Sequence, residues 1–233
     1  LREKPILEGE QKFLEAGKRL DYAKRLTLLM VGLFLFALAI VFEVKAGLGL
    51  GSWDVLHQGL SFHTPLSFGQ AGQVTGLVII LVSLLLGIKP GVATLANMFF
   101  VGFWIDLLNN SSLVPLAEPL GGLPAQLLWI AIGIFMLGIG SGLYIKAGLG
   151  AGPRDSFMLA LVKRTGWRVA VCRAIMEITV CTTGWLMGGT VGIATLLIAF
   201  GVGPSVELGF KICRVEVARD KKRAGPASAS AQV

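Results

Sequence analysis

"KAGLGLGSWD" at residues 45–54 returns as "KAGLGAGPRD" at residues 146–155. Both phrases set glycines at alternate positions and end in an aspartate. The likeness runs further on either copy. Residues 45–60 against 146–161 share eight identities in 16 positions. "GIKPGVATLANMFFVGFWID" (87–106) against "GGTVGIATLLIAFGVGPSVE" (188–207) shares eight in 20. Both matches hold one offset of 101 residues without a gap. Unrelated apolar segments share leucines and valines by composition alone, but they do not keep one register through glycines, threonines and acids. The chain therefore reads as a duplicated unit.

The surrounding sequence says what that unit is made of. Of 233 residues, 54% are hydrophobic and 15% charged, against about 25% charged in an average soluble domain. No Asp, Glu, Lys or Arg lies between Asp54 and Lys89, between Glu118 and Lys146, or between Glu177 and Glu207. A helix crossing a bilayer core needs about 20 apolar residues. Six such helices are expected, over 26–44, 68–88, 91–108, 125–145, 168–187 and 190–210. The first follows a charged segment and lacks a small-residue cleavage site, so it reads as a span, not a cleaved leader. "GIKPG" and "MGGT" are tight turns joining two helical hairpins. The expected organisation is a charged cytoplasmic segment at 1–25, a three-helix repeat at 26–108 and a periplasmic linker at 109–124. A second three-helix repeat follows at 125–210, then a basic cytoplasmic tail at 211–233, disordered by composition.

Basic residues flank the spans, so the net charge of +7 reads as membrane orientation and not as nucleic-acid binding. With both termini in the cytoplasm, 19 Lys and Arg lie inside and only Lys45 outside, Arg173 being within the fifth span. A three-span unit is odd-numbered, so the second copy must enter from the opposite face. Inverted repeats are a recurring plan of secondary transporters, with the site near the repeat interface. The expected fold is thus an all-α membrane protein of six transmembrane helices in two inverted three-helix repeats, in a bacterial inner membrane.

Within each phrase, glycine breaks the helix, and Ser52 or Pro153 starts a short one with Asp54 or Asp155 in its first turn. The apolar stretches 52–62 and 153–162 are too short to span. Two readings stay open: a re-entrant half-helix, or an interfacial helix lying flat and merely capped by its aspartate. The first makes Gly49, Gly51, Asp54, Gly150, Gly152 and Asp155 candidate substrate-binding residues. Arg173 and Glu177, one turn apart in the fifth span, join them, because ionisable residues inside a membrane face a cavity or a partner; a structural ion pair is the other reading. Asp106 and Glu207, matched by the offset, read as solvated helix ends. Trp53, Trp104, Trp129, Trp167 and Trp185 read mostly as an interfacial belt.

Other chemistry finds no pattern. His57 and His63 are six apart, off the spacing that puts two ligands on one helical face. Asp54 with His57 is too few donors for a metal. Cys172, Cys181 and Cys213 have no metal-ligand spacing and read as reduced, apolar residues. "GLGLGS" follows a membrane helix and not a strand, which excludes a dinucleotide fold. No metal, cofactor or catalytic constellation is expected, and so no enzyme.

At "GLGLGSWDVLHQGLS", "GLGAGPRDSFMLAL" and "RAIMEITVCTTGWLMGGTVGIATLLIAFGVGP" the chain resembles the YczE-like bacterial integral membrane proteins, relatives of the YitT group. The likeness covers about residues 26–210. It implies a polytopic bacterial membrane protein without an assigned substrate. It attaches to Gly47, Gly49, Gly51 and Asp54, to Gly148, Gly150, Gly152 and Asp155, and to Arg173, Glu177 and Gly192. The leading expectation is a carrier of a small polar or anionic solute bound between the repeats, in contact with the lipid bilayer. The alternative is a non-transporting scaffold or regulator that docks a partner through its basic cytoplasmic face.

Overall fold

Each long apolar block folds as a helix in the computed structural model, which describes residues 21–115 and 118–215. The expected charged leader up to residue 20 and the expected disordered tail from residue 216 lie outside the described residues. Six helices are long and apolar enough to cross a membrane: α1 (Tyr22–Ala46), α3 (Phe68–Leu85), α4 (Val92–Asn109), α6 (Leu123–Ala147), α8 (Val169–Leu186) and α9 (Ile193–Ile212). Shorter helices are α2 (Ser52–His63), α5 (Glu118–Gly121) and α7 (Pro153–Thr165). Among the described residues there is no strand. α1 and α6 run several residues past the expected spans at each end, because charged ends such as Lys24 and Lys146 extend a helix into the headgroup layer.

α1 and α6 pack along their length at the centre. Small residues bring their backbones together: a Cβ on Gly32 would sit 2.8 Å from Tyr144 N, and one on Gly133 would sit 3.0 Å from the Ala39 carbonyl. Such close approach is how helices associate in lipid, where apolar burial gives no drive. α4 lies against α1, and α9 lies against α6. α2 packs against α8, and α7 packs against α3, so each short helix crosses to a span from the other end of the chain.

Two start signals came through as expected, with α2 beginning at Ser52 and α7 at Pro153. Their aspartates, however, make no capping hydrogen bond. Asp106 is no solvated helix end. Its carboxylate accepts hydrogen bonds from Ser67 Oγ and, at 2.8 Å, from Gly69 N, and so caps α3 from a neighbouring helix. Glu207, its counterpart, does match the expectation: it is exposed and pairs with Lys211 at 2.9 Å. Trp53 departs from the interfacial belt and is buried in the interior, whereas Trp167 and Trp185 are exposed.

Candidate functional site

The repeated phrases run as non-helical backbone from α1 to α2 and from α6 to α7. Each docks on the amino end of a distant helix. Ala194 N donates to the Leu48 carbonyl at 3.0 Å, and Ala93 N donates to the Leu149 carbonyl at 3.0 Å. These two bonds are related by the 101-residue offset at both ends. The first binds the start of α9 to the first phrase, and the second binds the start of α4 to the second phrase. They satisfy amide groups that a helix amino terminus otherwise leaves without partners. Glycine is needed where the chains meet. Gly49 has φ +116° and a Cβ on it would lie 2.6 Å from Gly192 N. Gly150 has φ +122° and a Cβ on it would lie 3.1 Å from Gly91 Cα. Side chains rarely adopt this backbone.

The phrases deliver polar groups into the interior. α2 buries Trp53, Asp54 and His57. Asp54 Oδ1 lies 3.3 Å from His57 Nδ1 and 3.8 Å from Arg154 Nη2. The Arg154 guanidinium sits over the Trp53 ring, 5.0 Å from its centroid. Trp53 and Arg154 are themselves 101 residues apart, so a residue touches its own counterpart. Burial tends to raise the Asp54 carboxyl, yet the neighbouring His57 and Arg154 hold it below the usual carboxylate range. Burial pushes the His57 imidazole below its usual range against the pull of Asp54.

Beside this cluster is a cavity of about 50 Å³ bounded by α1, α2, α3, α4 and the start of α7. Asp54, His57, Thr75, Asn97 and Arg154 give it polar walls, and it has room for a few waters. Asn97 opens a π-helical turn, Asn97–Val101, inside α4. Such turns re-aim side chains and are common at functional sites.

Behind the Gly-rich phrases stand two more buried polar residues, again at the same offset. Glu43 on α1 is 1% exposed and Tyr144 on α6 is 4% exposed. Glu43 Oε2 lies 3.8 Å, and Asp54 Oδ2 3.2 Å, from the point a Cβ on Gly51 would occupy. Tyr144 OH lies 3.4 Å from the matching point on Gly152, with Asp155 Oδ2 at 3.7 Å and Asn97 Nδ2 at 4.0 Å. Glu43 Oε1, Trp53 Nε1, Asp54 Oδ1 and Tyr144 OH are buried without a hydrogen-bond partner. Native interiors pair most such groups with a side chain, the backbone or water.

Of the expected site residues, Gly49, Gly51 and Asp54 meet around the first phrase, and Gly150, Gly152 and Asp155 around the second. Arg173 is exposed and Glu177 half-buried, and no ion pair joins them among the described residues. Both act on Asp155: burial raises its carboxyl above the usual range, Arg173 and Arg154 oppose that, and Glu177 adds to it. Asp155, Arg173 and Glu177 do not line the cavity. Glu43, Arg154, Thr75 and Asn97 are absent from the sequence-based site. Two of them carry a signal in the sequence. Glu43 is the only acid inside α1, and acids in spans mark function. Asn97 is polar where the offset counterpart is Ile198.

Among the described residues, no group of three or more His, Cys, Asp or Glu is arranged to hold a metal ion. The three cysteines are free.

Residues 23–211 match the family of unknown function DUF6198. The uncharacterized membrane protein YczE of Bacillus subtilis is 36% identical over 77% of this chain and 82% of its own length. An uncharacterized protein of Haemophilus influenzae is 32% identical over 78% of this chain and 84% of its own. YyaS of Bacillus subtilis, also uncharacterized, is 24% identical over 72% and 83%. No solved structure matches the chain. With six helices fit to span a bilayer and a match that runs from α1 to α9, the chain belongs to DUF6198, a family of YczE-like membrane proteins.

Proposed function

We propose that this protein is a carrier, not an enzyme, that moves a small polar solute across the bacterial inner membrane by alternating access. In this reading it is built of two inverted three-span units, and the solute site is the polar cavity between them. Both termini are cytoplasmic, loops 45–67 and 109–124 are periplasmic, and 146–167 is cytoplasmic, as the distribution of basic residues requires.

The observation that carries the reading is the contact of Trp53 with Arg154 at the edge of the cavity. Two residues at equivalent places in a duplicated chain meet only on the axis that relates the copies. A polar cavity on that axis is where a carrier of this plan binds its solute. The paired bonds at Leu48 and Leu149 support the same relation. The packing of α2 and α7 against spans, with Asp54 and His57 buried, supports the re-entrant reading of the short helices over the flat one. Arg154 and Asn97 supply donors for an anionic or carbonyl part of the solute, and Asp54 supplies an acceptor.

The test uses Thr75→Cys, on the cavity wall, in protein whose three native cysteines are replaced by serine. A membrane-impermeant maleimide should label it in intact spheroplasts and in inside-out vesicles, and a solute that raises the melting temperature should slow both reactions. Labelling confined to one side under all conditions contradicts alternating access.

A further inference from the structure

Glu43 has no role in the solute site as drawn, yet it is the most buried acid among the described residues. It sits inside the first span with 1% exposure. Oε1 has no hydrogen-bond partner, and Oε2 lies 3.8 Å from the point a Cβ on Gly51 would occupy, with Asp54 Oδ2 3.2 Å from the same point. Asp54 is paired with His57 and Arg154. Arg154 stands 3.8 Å from Asp54 Oδ1, half-exposed and spread over the Trp53 ring, and among the described residues no basic side chain makes an ion pair with Glu43. The charged and titratable groups gathered here are Asp54 and His57 from α2 and Arg154 from α7. From α6 the neighbour is Gly133, and from α9 it is the apolar Ile198. Two carboxylates this close in a low-dielectric interior cannot both hold their charge.

We infer that Glu43 and Asp54 form a proton-binding site that holds one proton, carried on Glu43. The proton belongs to Glu43 because it has no ion-pair partner among the described residues, whereas Asp54 faces both His57 and Arg154. The protonated carboxyl of Glu43 then carries a donor that can turn toward Asp54. The cavity that reaches Asp54 and His57 is the path by which water takes up the proton when Glu43 releases it. The O–H bond of the Glu43 carboxyl breaks, its electron pair stays on the carboxylate, and the proton forms an O–H bond to water; nothing is oxidised or reduced. Resting on the carrier reading, this proton is the ion whose gradient drives the solute. The site itself stands without that reading.

The experiment is infrared spectroscopy of the purified protein in lipid, titrated across the neutral range. The wild type should show a carbonyl stretch of a buried protonated carboxylic acid that shifts in deuterium oxide and fades as the pH rises. Glu43→Gln should remove that band. It should also melt no lower than the wild type at neutral pH, since glutamine has the shape and donors of the protonated side chain. Asp54→Asn, which removes the facing charge, should keep the band and lower its midpoint. Absence of the band in the wild type, or its survival in Glu43→Gln, overturns the proposal. So does an unmoved midpoint in Asp54→Asn, because the two carboxyls would then not interact. Were Glu43→Gln to misfold, the midpoint shift in Asp54→Asn still decides. A proton gradient across proteoliposomes separates the two readings: the band present with no proton-coupled labelling of Thr75→Cys keeps the site and removes the proton as the driving ion, whereas labelling confined to one side removes the carrier.

Discussion

α4 and α9 close the two halves of the chain, yet each leans on a different neighbour. α4 packs against α3, while α9 lies tight on α6 and makes at most slight contact with α8. The cause is readable residue by residue. Where α1 meets α4 the contact positions are Ala37, Val41 and Leu108. Their counterparts at the 101-residue offset are Gly138, Gly142 and Gly209. With no side chains there, α9 comes so close that a Cβ on Gly142 would lie 2.7 Å from the Gly209 carbonyl. Ser205 Oγ adds a hydrogen bond to the Ile134 carbonyl at 2.7 Å. On the other seam the glycines are reversed. A Cβ on Gly102 would lie 2.5 Å from the Gly69 carbonyl, so α3 and α4 touch by backbone. The matching Gly203 has nothing within 4 Å. Asp106 locks the first seam by capping α3, whereas Glu207 turns to Lys211 on its own helix. The same plan thus yields one closed seam and one parted seam. Small residues and a single carboxylate decide which is which.

The largest effect is expected in the phrases that both halves share. Gly49→Val forces a side chain into a backbone contact and a φ of +116°, with strain of about 1–3 kcal/mol before any clash. Folded protein recovered after solubilisation should fall severely. Gly150→Val has the same φ problem but more room, 3.1 Å against 2.6 Å, so its melting temperature should drop less. Equal tolerance of both would leave the repeated glycines without a structural reason.

The parted seam gives a sharper contrast. Gly102→Ala should destabilise by about 1–3 kcal/mol, because overpacking a close backbone contact moves the helices apart. Gly203→Ala should change stability by less than about 0.5 kcal/mol, the usual range for a site that touches nothing. Thermal unfolding in one detergent measures both. Similar losses in the two variants would mean that α8 and α9 are in contact in the protein as purified.

Smaller still is the pair of acids. Asp106→Ala removes an amino-terminal cap from α3 and should cost about 0.5–2 kcal/mol. Glu207→Ala breaks an exposed pair within one helix, where about 0.5 kcal/mol or less is expected. The ratio of the two shifts in melting temperature is the check.

The sequence made the spans legible because length and lack of charge are enough to define them, and the six long helices follow that reading with ends moved by a few residues. The duplicated phrase likewise marked the place where distant segments meet, through Gly49, Gly150 and Asp54. What it hid is what depends on a partner from elsewhere in the chain. Asp106 looks like a helix end until Ser67 and Gly69 are brought to it. Trp53 looks interfacial until Arg154 covers it. Arg173 and Glu177 share a helix face by spacing, but their neighbour of consequence is Asp155, not one another. Glu43 lay at the margin of the expected first span; with that helix running on to Ala46 it stands inside.

The account turns on one claim above the others: that the second three-span segment enters the membrane from the face opposite the first. Three spans, α3, α4 and α6, separate Ser61 from Thr165, so these two positions must then lie on opposite sides. Single cysteines at Ser61 and Thr165, in protein otherwise free of cysteine, report this directly with an impermeant maleimide. Ser61→Cys should be labelled in intact spheroplasts and Thr165→Cys only in inside-out vesicles. Labelling of both from the same side would contradict the inverted arrangement and, with it, a solute site on the axis between the two units.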